Sequence, residues 1–412
     1  MSRLSIDTRL CILCRGSRNL CGYAFCPIVA TTIARLRIHK VSNKKEFFGS
    51  SPPSVFIGRH GYPDVYAGPT APPQRGDTRI YDLPEEWSRL SLDQILGYRL
   101  SMVRGKKRVN VAQPLEDKFV LQLHELVLSS RPADIEVYFS KPLKPSLLLD
   151  EHVPPLGPSG HLAELRIYPA SSDHRLEKAY YDHDLLSTHA VIMLYKNGVP
   201  VTTIQKLFSV GGLGVANKRK LVPTRWSITA VDDIVSRYLV ELVKTNDTID
   251  KYMVFHLEKE KNLFLALLAP MPWSFEWIEA WFPGSTWNLF GREISVEGDY
   301  EGYKGRTTYA SIGGCYYAAR LATAEYLNRI RRQATAVLYR EIYPGFTLPV
   351  GVWFVRESLR EMFRSKPMIF ESLDDALSYM ASKAKLGFRG IYESSVLVRK
   401  LLRQRRIVEW SW

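Results

Sequence analysis

Four of the five cysteines in the chain fall within sixteen residues, spaced Cys11-x2-Cys14-x6-Cys21-x4-Cys26. No other feature restricts the local fold so tightly. A two-residue gap lets one tight turn present two thiolates to a single ion, and tetrahedral zinc takes four soft ligands. The spacing therefore predicts a small N-terminal zinc knuckle holding one structural Zn2+ per chain, with no position left open for a catalytic water. Between the pairs, Arg15 and Arg18 add cations that favour thiolate over thiol. The alternatives are two disulfides, which some heat-adapted intracellular proteins carry, or a chance cluster of buried thiols. Cys315 stands apart in Gly313-Gly314-Cys315-Tyr316 and reads as a small buried residue. Pro27 suits the first position of a helix leaving the knuckle.

At 412 residues the chain is longer than one ordinary domain. Residues 41–85 are rich in Pro and Gly, poor in periodicity, and read as a long ordered loop region, while 145–175 are again Pro/Gly-rich with one strand-like run at Leu162–Tyr168. Ser91-Leu92-Asp93-Gln94 opens a short helix with a capping box. Arg104-Gly105-Lys106-Lys107-Arg108 reads as a basic turn between two short strands. Helices are predicted over 115–129, 176–195 and 230–244, a strand over Ile135–Phe139, and paired buried strands at Tyr252–Leu257 and Leu263–Leu268. The Gly-rich, charged passage 291–314 is the expected internal boundary. Beyond it come a long helix from Tyr316 to about Tyr339, a strand at Val350–Val355, and helices opening at Ser358, Ser372 and Ser394. Helices and strands mix without regular alternation, which predicts an α+β fold in a two-part body. The expected layout is a knuckle with its helix over 1–40, an α+β domain over 41–290, a mostly helical domain over 291–398, and a basic tail over 399–412.

Lys and Arg number 56 against 42 Asp and Glu, a surplus of +14 that favours a polyanionic partner such as DNA. No apolar run is long enough to span a membrane, and the N-terminus has Arg3, Asp7 and Arg9 where a signal peptide has an apolar core. A cytoplasmic, nucleoid-associated protein is the expectation. Gly211, Gly212 and Gly214 precede Lys218, Arg219, Lys220 and Arg225. Glycines can fold into a concave row of N–H donors, and the cations add charge for a phosphate. The loop matches neither a Walker A nor a dinucleotide pattern, and a glycine-rich turn beside a solvated basic face is the plainer account. Asp182, His183, Asp184 and His189 have the residue types of a metal site, but the spacing sets the two histidines far apart around a helix. No hydrolase motif occurs.

At the C-terminus, Gln404, Ile407 and Trp410 are three residues apart, with Trp412 beyond them. One tight helical turn puts the first three on one side. That spacing resembles the peptide by which repair and replication proteins dock on the sliding clamp (PCNA), with Ser411 where a second aromatic is usual. An intramolecular plug of the core is the competing use.

Several pieces together look like the archaeal Nre ("novel repair") family. They are Cys14-Arg15-Gly16, Cys26-Pro27, Gly58-Arg59-His60-Gly61-Tyr62-Pro63, Gly157-Pro158-Ser159-Gly160, the run Gly211 to Asp232, Arg331-Arg332-Gln333-Ala334, and Pro349-Val350-Gly351-Val352-Trp353. The resemblance implies a role in DNA-damage repair, a zinc-finger-like N-terminus and, in many members, a C-terminal clamp-binding motif. It carries over no catalytic residue. Two readings follow. One is a repair factor that contacts phosphates with Arg15, Arg18, residues 104–108 and Lys218–Lys220 and is recruited by the clamp. The other is an enzyme acting on a phosphate-bearing nucleotide, or a nucleotide-modified macromolecule, through the Gly211–Arg225 loop; a scaffold joining the clamp to other repair proteins, with neither pocket nor groove, stands behind both.

Overall fold

A computed structural model describes residues 8–18, 20–23, 26–35, 45–112, 114–143 and 146–403. Contacts divide the chain into two compact units, one of residues 1–32, 236–348 and 354–412, the other of residues 33–235 and 349–353. Helices α1 (Thr8–Cys14) and α2 (Pro27–Arg35) open the chain, and Pro27 begins its helix as expected.

The second unit is built on a six-stranded mixed sheet. Its strands are β1 (Glu46–Ser51), β2 (Val55–Ile57), β3 (Asp64–Ala71), β4 (Val103–Asn110), β5 (Ala133–Phe139) and β6 (Ser159–Tyr168). They lie in the order β1-β5-β6-β4-β3-β2, with β4 and β6 parallel and the other pairs antiparallel. Along β5 every second residue is buried, the period-2 signature of a strand with one face on the core. Helix α3 (Leu92–Ser101) starts with the expected capping box, Ser91 and Gln94 each accepting the other's backbone N–H. Helix α4 (Lys118–Leu128) is capped by Asp117. The predicted helix over 176–195 is two helices, α5 (His174–Tyr181) and α6 (Ser187–Lys196), followed by α7 (Val201–Ser209). The basic stretch 104–108 is not a turn: it is the middle of β4, so its side chains alternate between the two faces of the sheet.

Helix α8 (Thr224–Lys244) carries the chain into the other unit. That unit holds β7 (Tyr252–Lys259), β8 (Asn262–Ala269), β9 (Ser274–Trp281), β10 (Ser295–Glu301), α9 (Gly314–Ile330), β11 (Thr335–Ile342), α10 (Trp353–Met362), β12 (Met368–Phe370), α11 (Leu373–Lys383), α12 (Gly387–Ser394) and α13 (Val396–Arg403). Its sheet runs β10-β9-β11-β8-β7-β12. The predicted β7–β8 hairpin turns through Glu260 and Lys261, both at positive φ, the twist a two-residue turn needs. Strands β8 and β11 are buried at every position, as strands covered on both faces must be. On one face, Ala376, Leu377, Met380, Ile391, Leu397 and Val398 of α11–α13 join the sheet core. Rings pack Tyr316 of α9 on Phe275 and Phe354 of α10 on Phe264.

Two assignments differ from expectation for one reason. The apolar run after Tyr316 is helix only to Ile330. Arg331 then takes a left-handed conformation and the run continues as strand β11. Conversely, Val350–Val355 is not a strand: Gly351 turns at φ 95° and Trp353 begins α10, so Ser358 lies inside a helix. Where an element is buried all round, apolar periodicity does not separate helix from strand. Residues 291–398, expected as a mostly helical domain, supply β10, β11 and β12 as well as four helices and the start of a fifth. Because β11 lies between β9 and β8, segments on both sides of the 291–314 passage belong to one sheet.

Candidate nucleic-acid interface

The glycine-rich loop was expected to offer a row of free N–H donors, and at Gly211 and Gly212 it does not. The N–H groups of Gly211 and Gly212 donate to the carbonyls of Phe208 and Leu207, at 3.1 and 3.0 Å, and close the C-terminus of α7. Gly211 stands at φ 71°, where a Cβ would meet the Lys220 backbone, and Gly214 at φ 109°. Arg219 is buried inside the loop. Its Nε donates to the Gly214 carbonyl at 2.7 Å, and its Nη2 donates to the Tyr180 and Asp182 carbonyls at 2.7 and 3.1 Å. The guanidinium also lies over the Tyr180 ring. Next to it, His124 is buried with Nε2 2.6 Å from the Val210 carbonyl and Nδ1 3.0 Å from the Tyr180 hydroxyl. A carbonyl only accepts, so Nε2 carries the proton and Nδ1 accepts from the tyrosine. Burial pushes the His124 pKa down to about 4, which keeps the ring neutral.

Arg225 is also committed. Its Nη1 is 3.0 Å from Asp150 Oδ2, and its Nη2 is bonded to Glu151. His152 Nδ1 lies 3.3 Å from the same glutamate. Burial, and then the Arg225 charge, pull the Arg59 pKa below its ordinary value, while Asp150 and Glu151 oppose that shift. Of the expected phosphate ligands in this loop, Lys218 and Lys220 remain: both are exposed, and neither has an ion-pair partner among the described residues.

Two aromatic residues that sequence reasoning passed over lie close by. Tyr62 and Trp226 are 49% and 45% exposed, with ring centroids 5.5 Å apart. Backbone bonds tie their neighbourhood to Lys220: Val111 donates to the Pro63 carbonyl at 3.0 Å, Leu221 donates to the Val111 carbonyl at 2.9 Å, and Ala112 bridges Lys220. The same line of chain continues back along β4, where Arg104, Lys106 and Arg108 share a face. Their partners in register are Thr70 and Ser159 for Arg104, His161 for Lys106, and Tyr66 for Arg108. At 3.3 Å per residue, the row from Arg104 to the Ala112–Lys220 bridge spans roughly 26 Å. One carboxylate on it, Asp64, accepts a hydrogen bond from Asn110 at 2.8 Å. The signal available in the sequence was a tyrosine in a Gly-rich turn and a tryptophan in the first turn of a helix, both next to cations.

Cys11, Cys14, Cys21 and Cys26 line one small cavity with Leu10, Gly16, Pro27 and Ile28, and all are free of disulfides. Burial raises the Cys26 thiol pKa against the N–H groups of Val29 and Ile28, and Cys14 and Cys21 add to the rise. Among the described residues, no group of three or more His, Cys, Asp or Glu is arranged as a metal centre; the pairing of His183 with His189 is thereby also unsupported. Arg15 does not face a phosphate. It is buried, with Nη2 3.0 Å from Glu279 and Nε donating to the Ile12 carbonyl. Arg18 is exposed. Gln404, Ile407, Trp410 and Trp412 lie outside the described residues. None of the described helices is long and apolar enough to cross a membrane.

The family description "Archaeal Nre, N-terminal" matches residues 20–288, and "Archaeal Nre, C-terminal" matches residues 301–410. The chain belongs to the archaeal Nre family. It is 49% identical to DNA repair protein NreB of Archaeoglobus fulgidus, over 97% of this chain and 99% of that protein. Two proteins named DNA repair protein NreA are 36% identical (A. fulgidus; 89% of this chain, 92% of that one) and 35% identical (Haloferax volcanii; 83% and 84%). No solved structure matches the chain.

Proposed function

We propose that this Nre-family chain is a DNA-repair factor that binds DNA carrying single-stranded bases, along the row formed by Lys106, Arg108, Lys218 and Lys220. The observation that carries this reading is the exposed Tyr62–Trp226 pair beside exposed lysines without ion-pair partners. Ring faces accept unstacked bases of any sequence, while the cations hold phosphates. The names of the three relatives support the repair setting. The enzyme reading asked the Gly211–Arg225 loop to cradle a phosphate, yet the N–H groups of Gly211 and Gly212 and the side chains of Arg219 and Arg225 are already engaged internally. Replacing both rings (Tyr62→Ala with Trp226→Ala) should weaken binding of a single-stranded oligonucleotide roughly 10- to 100-fold, the scale of one or two lost stacking contacts. Unchanged affinity would remove the basis of the reading.

Two further parts belong to it. Cys11, Cys14, Cys21 and Cys26 would hold one structural Zn2+: the donor set is four thiols on one cavity with otherwise apolar walls, which fits that ion. The ion would clip the N-terminal turns together and supply no chemistry, and Arg18 on the same segment could reach a phosphate. The tail residues Gln404, Ile407, Trp410 and Trp412 would bring the protein to the sliding clamp (PCNA), a reading supported by their spacing. On this account the protein works in the cytoplasm, at the nucleoid.

A further inference from the structure

Among the described residues, the buried arginines other than Arg104 each have a carboxylate or several carbonyls as acceptors. Arg99 pairs with Asp82, Arg320 with Glu301, Arg340 with Glu279, and Arg219 has its three carbonyls. Arg104 is 7% exposed and has no ion-pair partner among the described residues. Its Nε is buried without an acceptor, and its one hydrogen bond is a stretched 3.4 Å contact from Nη2 to the Gly157 carbonyl. Burial, then the positive charge of Arg99, push its pKa down to about 10, so its surroundings lack the anion that would stabilise it. A guanidinium withdrawn from water and left unpaired is costly, and such a group persists where a ligand supplies the missing charge.

The neighbours are suited to a phosphate. The Phe56 ring lies against the guanidinium, its centroid 5.3 Å from the guanidinium carbon. Ser159 stands beside Arg104 in register on β6 and offers a hydroxyl. Lys106, two residues along the same face, has its own pKa lowered by burial and by Arg104, and has no ion-pair partner among the described residues. The site lies at the end of the basic row and is recessed. An internal phosphodiester has two of its oxygens tied into the chain and would have to drag the strand inward to reach it. A terminal phosphate presents three free oxygens, carries the larger charge, and fits the fork of an arginine with two parallel hydrogen bonds.

We infer that Arg104, with Lys106 and Ser159, forms a recessed site for a phosphomonoester, a class distinct from the backbone phosphates held by the rest of the row. The group can come from the phosphorylated end of a DNA strand or from a free mononucleotide. The strand-end source rests on the DNA-binding reading above; the mononucleotide source does not.

The test compares 5′-phosphate, 3′-phosphate and unphosphorylated versions of one oligonucleotide on the full chain by fluorescence anisotropy. In parallel, dTMP is compared with thymidine by calorimetry. A strand-end site predicts at least about tenfold tighter binding of one phosphorylated end. A mononucleotide site predicts dTMP binding with none for thymidine. In either case Arg104→Gln brings the ratio of phosphorylated to unphosphorylated ligand to about one, and Lys106→Gln lowers it. Melting of the Arg104→Gln protein without phosphate should be unchanged or higher, since an unpaired buried charge has gone, which separates loss of binding from loss of fold. No preference for any phosphorylated ligand, or a preference that survives in Arg104→Gln, overturns the inference. Oligonucleotides that bind without end preference, with dTMP silent, would sink this site and leave the DNA-binding reading standing. If dTMP binds and no oligonucleotide does, the site stands and the DNA-binding reading falls.

Discussion

His124 links helix α4 to the glycine-rich loop through a ring that burial keeps neutral, its Nε2 proton donated to the Val210 carbonyl. Its pKa falls from an ordinary 6.5 to about 4 on folding. Between those values the unfolded chain binds a proton that the folded chain refuses. The stabilisation is therefore complete above about pH 6.5 and is lost as pH falls toward 4, a change of about 3 kcal/mol. Urea unfolding of the His124→Gln variant should show a shallower loss of stability between pH 7 and 4 than the parent. The same acid slope in both proteins would show that another group governs it. The loop around this histidine also marks what a single residue reveals in sequence. Lys218, Arg219 and Lys220 read as three equivalent cations, but the chain turns so that the middle one is buried and its neighbours are exposed. Arg15 and Arg18 divide in the same way, since Glu279, which captures Arg15, lies more than two hundred residues away and no local pattern announces it.

Elements with one wet face were legible: the alternating strand β5 and the capped helix α3 lie where periodicity and capping put them, and buried β8 was legible only as a short apolar run paired with β7 across a tight turn. Other elements covered on every side were not, and β11 and α10 exchanged identities for that reason. The basic stretch of β4 was misread as a turn because one glycine among four cations looks like a loop. In fact Gly105 faces Leu162 where a Cβ would collide with it. The candidate site was half legible, in that its lysines and loops could be named while its aromatic platform could not. At this scale the zinc proposal can be checked. Metal analysis should find one zinc per chain, and chelation should speed hydrogen exchange in α1 and α2 while β7–β11 stay protected. Less than one zinc, with the four thiols joined as disulfides, would replace the metal clip by a covalent one.

For the whole molecule, the net charge of +14 has a direction once the internal pairs are set aside. Arg15, Arg99, Arg225, Arg320 and Arg340 are each matched to a carboxylate, which leaves part of the surplus to the row along β4 and the Lys218–Lys220 loop. The tail extends the reading beyond the chain itself. Replacing Gln404, Ile407 and Trp410 with alanine in the full chain should abolish binding to the sliding clamp without altering affinity for DNA. Clamp binding that survives the triple replacement would return the tail to the role of a plug for the core. The central claim is that DNA lies along the basic row, and its most direct test is the salt dependence of affinity for a single-stranded oligonucleotide. Each phosphate contact contributes about 0.7 to the slope of log affinity against log salt. The parent should lose affinity steeply between 50 and 200 mM salt, roughly fiftyfold for four contacts. The Lys218→Ala, Lys220→Ala protein should show a slope shallower by about 1.4. An affinity that does not change with salt, or a slope the double replacement leaves intact, would contradict the account.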